Sequence, residues 1–92
     1  MTRAEIVAEI ANKTNVEKIA VQQIVEAFMD SIKKAMINGE NVYLRGFGSF
    51  VIKRRAEKTG RNISKNTTII IPAHNIPSFK PAKSFVNEVK NN

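Results

Sequence analysis

Six basic residues fall between positions 53 and 65, namely Lys53, Arg54, Arg55, Lys58, Arg61 and Lys65, and Glu57 is the single acid among them. Ammonium and guanidinium groups at this density suit one kind of chemistry. They displace the counterions of a polyanion and donate charge-assisted hydrogen bonds to its phosphate oxygens. One residue does not fit that task. In the stretch "KTGRNISKN", Lys58 to Asn66, Ile63 stands among polar, basic and turn-forming residues only. Two uses for it follow from its chemistry. An apolar side chain at the tip of a basic hairpin can wedge between base pairs of a duplex bent from its minor groove. Alternatively it packs across the tip against the aliphatic part of a neighbour.

Other chemistry finds little support. The sole histidine, His74, sits between Pro72 and Pro77 with no acid close in sequence, so it lacks the orienting partner of a general base. It reads as a surface residue or a nucleic-acid contact. Glu5 and Glu9 lie one turn apart on a charged helix face, which is a solvated arrangement rather than a catalytic pair. There is no phosphate-binding glycine loop followed by Lys-Ser/Thr, no HExxH, and no cysteine to serve as nucleophile, thiolate ligand or disulfide partner. No catalytic residue, metal site, cofactor or small-molecule substrate is expected.

The net charge of +7 is unevenly spread. Residues 1–40 hold five Lys/Arg against six Asp/Glu, and residues 41–92 hold ten against two. Such asymmetry points to a polyanionic partner, nucleic acid first and an acidic membrane surface second. An amphipathic basic helix would favour anionic lipid, but here the positive charge lies on strands and their links. No apolar run reaches membrane-spanning length, and the charged start "MTRAEIVAEI" does not resemble a secretory signal. The expectation is a cytoplasmic protein of the reducing compartment. The three Asn-x-Ser/Thr triplets at Asn12, Asn62 and Asn66 accordingly read as coincidence.

The elements that must carry these cations can be read in order. Thr2 and Glu5 form a capping box ahead of an apolar pattern at Ile6, Val7, Ile10 and Ala11, with Asn15 as a left-handed stop. A second helix is predicted over Lys18–Ile37. Its stripe comprises Val21, Ile24, Val25, Phe28, Ile32, Ala35 and Met36, and Asn38-Gly39 ends it. Beyond Gly39 the period becomes two. "NVYLR" and "SFVIKRR" read as strands joined by Gly46-Phe47-Gly48, and "TTIIIPA" as a β-branched return strand. "HNIPSFKPAK" reads as a proline-punctuated link, and Pro81 as the opening of a last helix bearing Phe85, Val86 and Val89.

The chain therefore predicts an α+β fold as a single domain over 1–92. Residues 1–40 form a helical base, 41–80 a three-stranded antiparallel sheet with an arm at about 54–73, and 81–92 a C-terminal helix. From Arg54 to Ile63 an extended chain covers roughly 30 Å, against a radius of gyration of about 13 Å for a domain of this size. So the outer hairpin is expected to project as an arm that a partner stabilises.

Four motifs, "RGFGSF" (Arg45–Phe50), "GRN" (Gly60–Asn62), "IPA" (Ile71–Ala73) and "PSFKPAK" (Pro77–Lys83), occur in an order and spacing that resembles the bacterial HU/IHF family of histone-like DNA-binding proteins. The similarity covers essentially the whole chain. It implies an intertwined dimer, either homodimer or heterodimer with a paralogue. A nucleoid-associated architectural role is implied too, in which DNA is bent and condensed through minor-groove arms with low sequence specificity. By resemblance, Phe28, Phe47, Phe50 and Phe79 belong to the dimer core. Arg45, Lys53, Arg54, Arg55, Lys58, Arg61, Asn62, Ile63, Lys65, Lys80 and Lys83 are implied to contact DNA. The chain departs from the family pattern at three places: Ile63 stands where proline is usual, and Asn66 and Ala82 stand where glycine is common.

The motifs admit two other readings. An IHF-like, sequence-selective subunit fits the same residues. "RGFGSFVI" also nears the signature of RNA-recognition modules, but Ser49 shifts the register and turns Phe50 to the wrong face for it.

Overall fold

The computed structural model describes residues 1–62 and 67–92, so the expectations for Ile63, Lys65 and Asn66 fall outside the described residues. The described chain forms two compact units, residues 1–34 and 35–92.

In the first unit, helix α1 spans Arg3–Thr14 and starts as the capping pattern predicts. The Glu5 amide donates to Thr2 Oγ1 at 3.3 Å. The Thr2 hydroxyl in turn donates to the Glu5 carboxylate at 3.3 Å, so the reciprocal bond of the box uses the hydroxyl. Asn15 ends the helix at φ 58°, ψ 27°, a left-handed geometry that asparagine tolerates better than most residues. Helix α2 spans Lys18–Ile37, as its apolar stripe predicts. Arg3 and Glu26 bridge the two helices at 3.5 Å with both side chains well exposed, a pair that contributes little. Among the described residues only Val7 and Val21 are buried apolar side chains, at 2% and 4% exposure. Ile24 and Phe28 of the α2 stripe face solvent. Much of the apolar stripe of α2 is thus left uncovered within this unit.

The second unit opens with the end of α2. Glu40 N–H donates to Ala35 O at 2.9 Å and Gly39 N–H to Met36 O at 3.0 Å, the two bonds of a Schellman motif. Gly39 lies at φ +86° with open space around its α-carbon, so backbone conformation alone selects glycine there. Gly39→Ala should therefore lower the unfolding free energy by about 1 kcal/mol, measured by urea titration.

Strands β1 (Val42–Leu44) and β2 (Gly48–Arg55) follow, then β3 (Lys58–Asn62), β4 (Thr67–Ile71), β5 (His74–Pro81) and helix α3 (Lys83–Lys90). The three-stranded antiparallel sheet has the order β1-β2-β5, and β3-β4 form a separate two-stranded ribbon. The β1–β2 turn closes with Phe47 N–H donating to Leu44 O at 3.0 Å. Its third position is Gly46 at φ +83°, as a type II turn requires. Just before β1, Asn41 Oδ1 accepts from Ile52 N–H at 3.0 Å and extends the contact with β2 beyond the paired residues.

Two expectations are corrected here. Residues 74–81 are no link: they form β5, paired with β2 from Gly48↔Pro81 to Arg55↔His74. Prolines 77 and 81 are accommodated because β5 is an edge strand. Being four residues apart, both turn their missing N–H to the same side, away from the ladder. Nor does Pro81 open the helix. It ends β5, Ala82 is the N-cap without a side-chain bond, and α3 begins at Lys83.

The β2–β5 ladder stops at Arg55↔His74, and the β3–β4 ladder starts at Lys58↔Ile71. Ala56-Glu57 and Pro72-Ala73 lie opposite one another in the gap. Pro72 has no N–H to continue the pairing. The Pro72 carbonyl still finds a donor, since His74 Nδ1–H donates to Pro72 O at 2.9 Å.

Candidate nucleic-acid interface

Directly paired residues on adjacent strands share a face, so the register sorts the sheet's side chains into two sets. One face carries Val42 and Leu44 of β1, Phe50 and Ile52 of β2, and Pro77 and Phe79 of β5. The Phe50 and Phe79 rings lie 5.0 Å apart, and Phe79 meets Phe47 at 5.1 Å. Phe47 in turn stacks on Phe85 of α3 at 5.6 Å. Offset and tilted contacts at these distances are favourable beyond the area they bury. The cluster is still open to solvent, with Phe47 at 46% and Phe79 at 39% exposure.

Gly48 makes the cluster possible. A Cβ at this position would lie 2.6 Å from Lys80 O and 2.7 Å from the Phe79 ring. The absence of a side chain lets β5 and its aromatic ring approach β2 closely.

The opposite face holds Tyr43, Ser49, Val51, Lys53 and Arg55, with Lys80, Ser78, Ile76 and His74 across the ladder. Lys53, Arg55, His74 and Lys80 are all exposed. Arg45 joins them at the β1–β2 turn, where it lines a concavity with Tyr43, Ser49, Lys80 and Ala82. Hydroxyls of Ser49 and Ser78 therefore sit among cations spaced along antiparallel strands. Such a face offers charge-assisted donors along a strip, which suits a phosphate backbone.

The remaining candidate residues fall elsewhere. Arg54 belongs to the aromatic face by register, and its Nη1 donates to Asn75 Oδ1 at 3.3 Å. Lys83 is the first residue of α3. On the ribbon, Lys58 pairs with Ile71, Arg61 with Thr68 and Asn62 with Thr67. Phe28 lies on α2 in the other unit. Sequence reasoning missed Ser49, Ser78 and Tyr43 as companions of the cations, and Phe85 as part of the aromatic cluster. Alternation along β5 was the signal available, hidden by reading that strand as a link.

The family described as Bacterial DNA-binding protein matches the chain over residues 1–90. The chain belongs to this family. Among relatives of the family, the SPbeta prophage-derived DNA-binding protein HU 2 of Bacillus subtilis is 40% identical over 90 residues, 98% of each chain. DNA-binding protein HU of Thermus thermophilus is 36% identical over 90 residues, covering 98% of this chain and 93% of its own. Among solved structures, the Anabaena HU–DNA cocrystal structure superposes with a TM-score of 0.94 at 34% identity, covering all of both chains. An HU mutant from Thermotoga maritima gives a TM-score of 0.74 at 26% identity, covering 97% of this chain and 99% of that one. The similarity to HU/IHF proteins read from the four motifs thus holds over nearly the full length, and the α+β architecture agrees with it.

Proposed function

We propose that this protein is an architectural, nucleoid-associated DNA-binding protein. It holds double-stranded DNA mainly by its phosphates, bends it, and shows little sequence preference. The observation that carries this reading is the segregation of the sheet, with Lys53, Arg55 and Lys80 on one face and the phenylalanines on the other. Cations that meet phosphates position a duplex without reading its bases. Lys58, Arg61, Asn62, Lys65 and Lys83 add further DNA contacts in this proposal, and Ile63 supplies the wedge; Arg54, on the opposite face of the sheet, takes no part. The chain acts by binding, without catalysis or cofactor, and works in the cytoplasm on the nucleoid. The assignment is supported by its relatives, DNA-binding proteins HU, and by its likeness to HU in an HU–DNA cocrystal.

The working form is a dimer of this chain, each copy being a single domain over residues 1–92. A 92-residue chain whose buried apolar side chains are Val7 and Val21, among the described residues, leaves two apolar surfaces uncovered. One is the α2 stripe with Phe28, and the other is the cluster of Phe47, Phe50, Phe79 and Phe85. Exposed patches of this kind mark association surfaces.

The decisive experiment measures affinity and bend angle together on a labelled duplex. Wild type should bind random-sequence duplex at modest salt and shorten the end-to-end distance. Ile63→Ala should retain affinity within about threefold while losing most of the bend, because unstacking depends on the inserted side chain and capture does not. Failure of the wild type to bind duplex at modest ionic strength would overturn the function; equal bending by both proteins would remove the wedge.

A further inference from the structure

β4 carries no charge in a strongly basic chain. From Asn66 to Ala73 there is no ionisable side chain, whereas its neighbour β3 carries Lys58 and Arg61. β4 pairs with β3 along one edge, and among the described residues no strand covers the other. An edge strand turns alternate N–H and C=O groups outward, ready for another strand. Ile69, Ile70 and Ile71 stand on it at 46%, 65% and 43% exposure. A short, uncharged, β-branched edge is a pairing template, and here no lysine or proline within the strand blunts it.

The occupant follows from charge and symmetry. Two copies of a chain with net charge +7 repel one another over most approaches. β4 itself adds no charge to that obstacle. An antiparallel pair about a two-fold axis is also self-complementary, so one segment supplies both sides. We propose that β4 of one molecule pairs antiparallel with β4 of a second copy, in a register centred on Ile69, and that this joins two ribbons into a four-stranded sheet.

The register is constrained by the neighbours of the strand. Centring on Ile69 pairs all five residues: Ile69 with Ile69, Ile70 with Thr68, and Ile71 with Thr67. Centring one residue later brings Pro72 into the ladder, where it has no N–H. Centring one residue earlier leaves Ile71 without a partner inside β4. Within each ribbon Ile69 is opposite Gly60 and Ile71 opposite Lys58. The combined sheet therefore gathers Ile69 and Ile71 of both copies on one face, beside glycines that add no bulk. Lys58 and Arg61 remain on the outermost strands, as far apart as the assembly allows.

The chain has no cysteine, which makes the register directly testable in the full-length protein without DNA. Directly opposed Cβ atoms on antiparallel strands lie about 4.5–5.5 Å apart, close to disulfide reach. With oxidised glutathione as oxidant, Ile69→Cys should cross-link at least tenfold faster than Ile71→Cys, whose counterpart is Thr67. The folded, cross-linked product should sediment at twice the mass of the reduced protein. Adding Ile70→Lys to Ile69→Cys should slow cross-linking about tenfold, since it sets a cation at the paired edge. Equal rates for Ile69→Cys and Ile71→Cys overturn the proposal, as does a cross-linked product no larger than the reduced protein. A wild type that sediments identically to Ile70→Lys at every concentration overturns it too. Because no nucleic acid takes part, failure here leaves the DNA-binding reading standing.

Discussion

Gly48→Ala should lower the unfolding free energy by roughly 3 kcal/mol, among the larger costs expected of a single methyl group. The two atoms it meets cannot yield cheaply. Lys80 O is backbone, at 2.6 Å from the added Cβ, and it belongs to a strand paired to β2 over eight residues. The Phe79 ring, at 2.7 Å, lies between Phe47 and Phe50 with centroids 5.1 and 5.0 Å away. Relief requires either opening the β2–β5 ladder or moving the ring out of the cluster. Urea midpoints at one fixed protein concentration give the measurement, because association contributes to apparent stability. Gly60→Ala is the matched control. Its Cβ would meet only Ile69 O at 3.8 Å, an ordinary contact, so the midpoint should move by less than about 0.5 kcal/mol. Similar losses for both variants would mean that close approach at Gly48 is not what glycine provides there.

That contrast also marks what was legible in the sequence. Signals acting within one turn of backbone were readable: Thr2 with Glu5, Asn15 as a left-handed stop, and Gly39 after α2. Each is a local choice whose physics does not depend on the rest of the chain. Gly48 is different, since its necessity comes from Phe79, a residue 31 positions later that only the β2–β5 ladder brings near. The same reason hid β5. Two prolines in eight residues argue against a central strand, and only topology decides that the strand is an edge. Without β5 the register was missing, and with it the sorting of cations from phenylalanines. The list of basic residues was readable from composition; which of them share a face was not.

This sorting leads to the second large effect. Lys53, Arg55 and Lys80 share the exposed, hydroxyl-bearing face, whereas Arg54 lies on the other face with its guanidinium donating to Asn75. If phosphates are held by that strip, the triple variant Lys53→Ala, Arg55→Ala and Lys80→Ala should lose three contacts. Each contact contributes about 0.9 to the slope of log affinity against log salt, so the slope should flatten by about 2.7. At about 0.1 M salt this amounts to nearly tenfold per contact, or roughly 500-fold in affinity for the three together. Arg54→Ala should leave the slope where it was, although it removes the same formal charge as any one of the others. The pair of results separates two accounts that net charge alone cannot. If the duplex responds only to total positive charge, Arg54→Ala lowers the slope as much as Arg55→Ala does. If it lies along one face, neighbouring arginines in a single strand differ by nearly a full unit of slope, because period-two alternation turns one toward the phosphates and the other away.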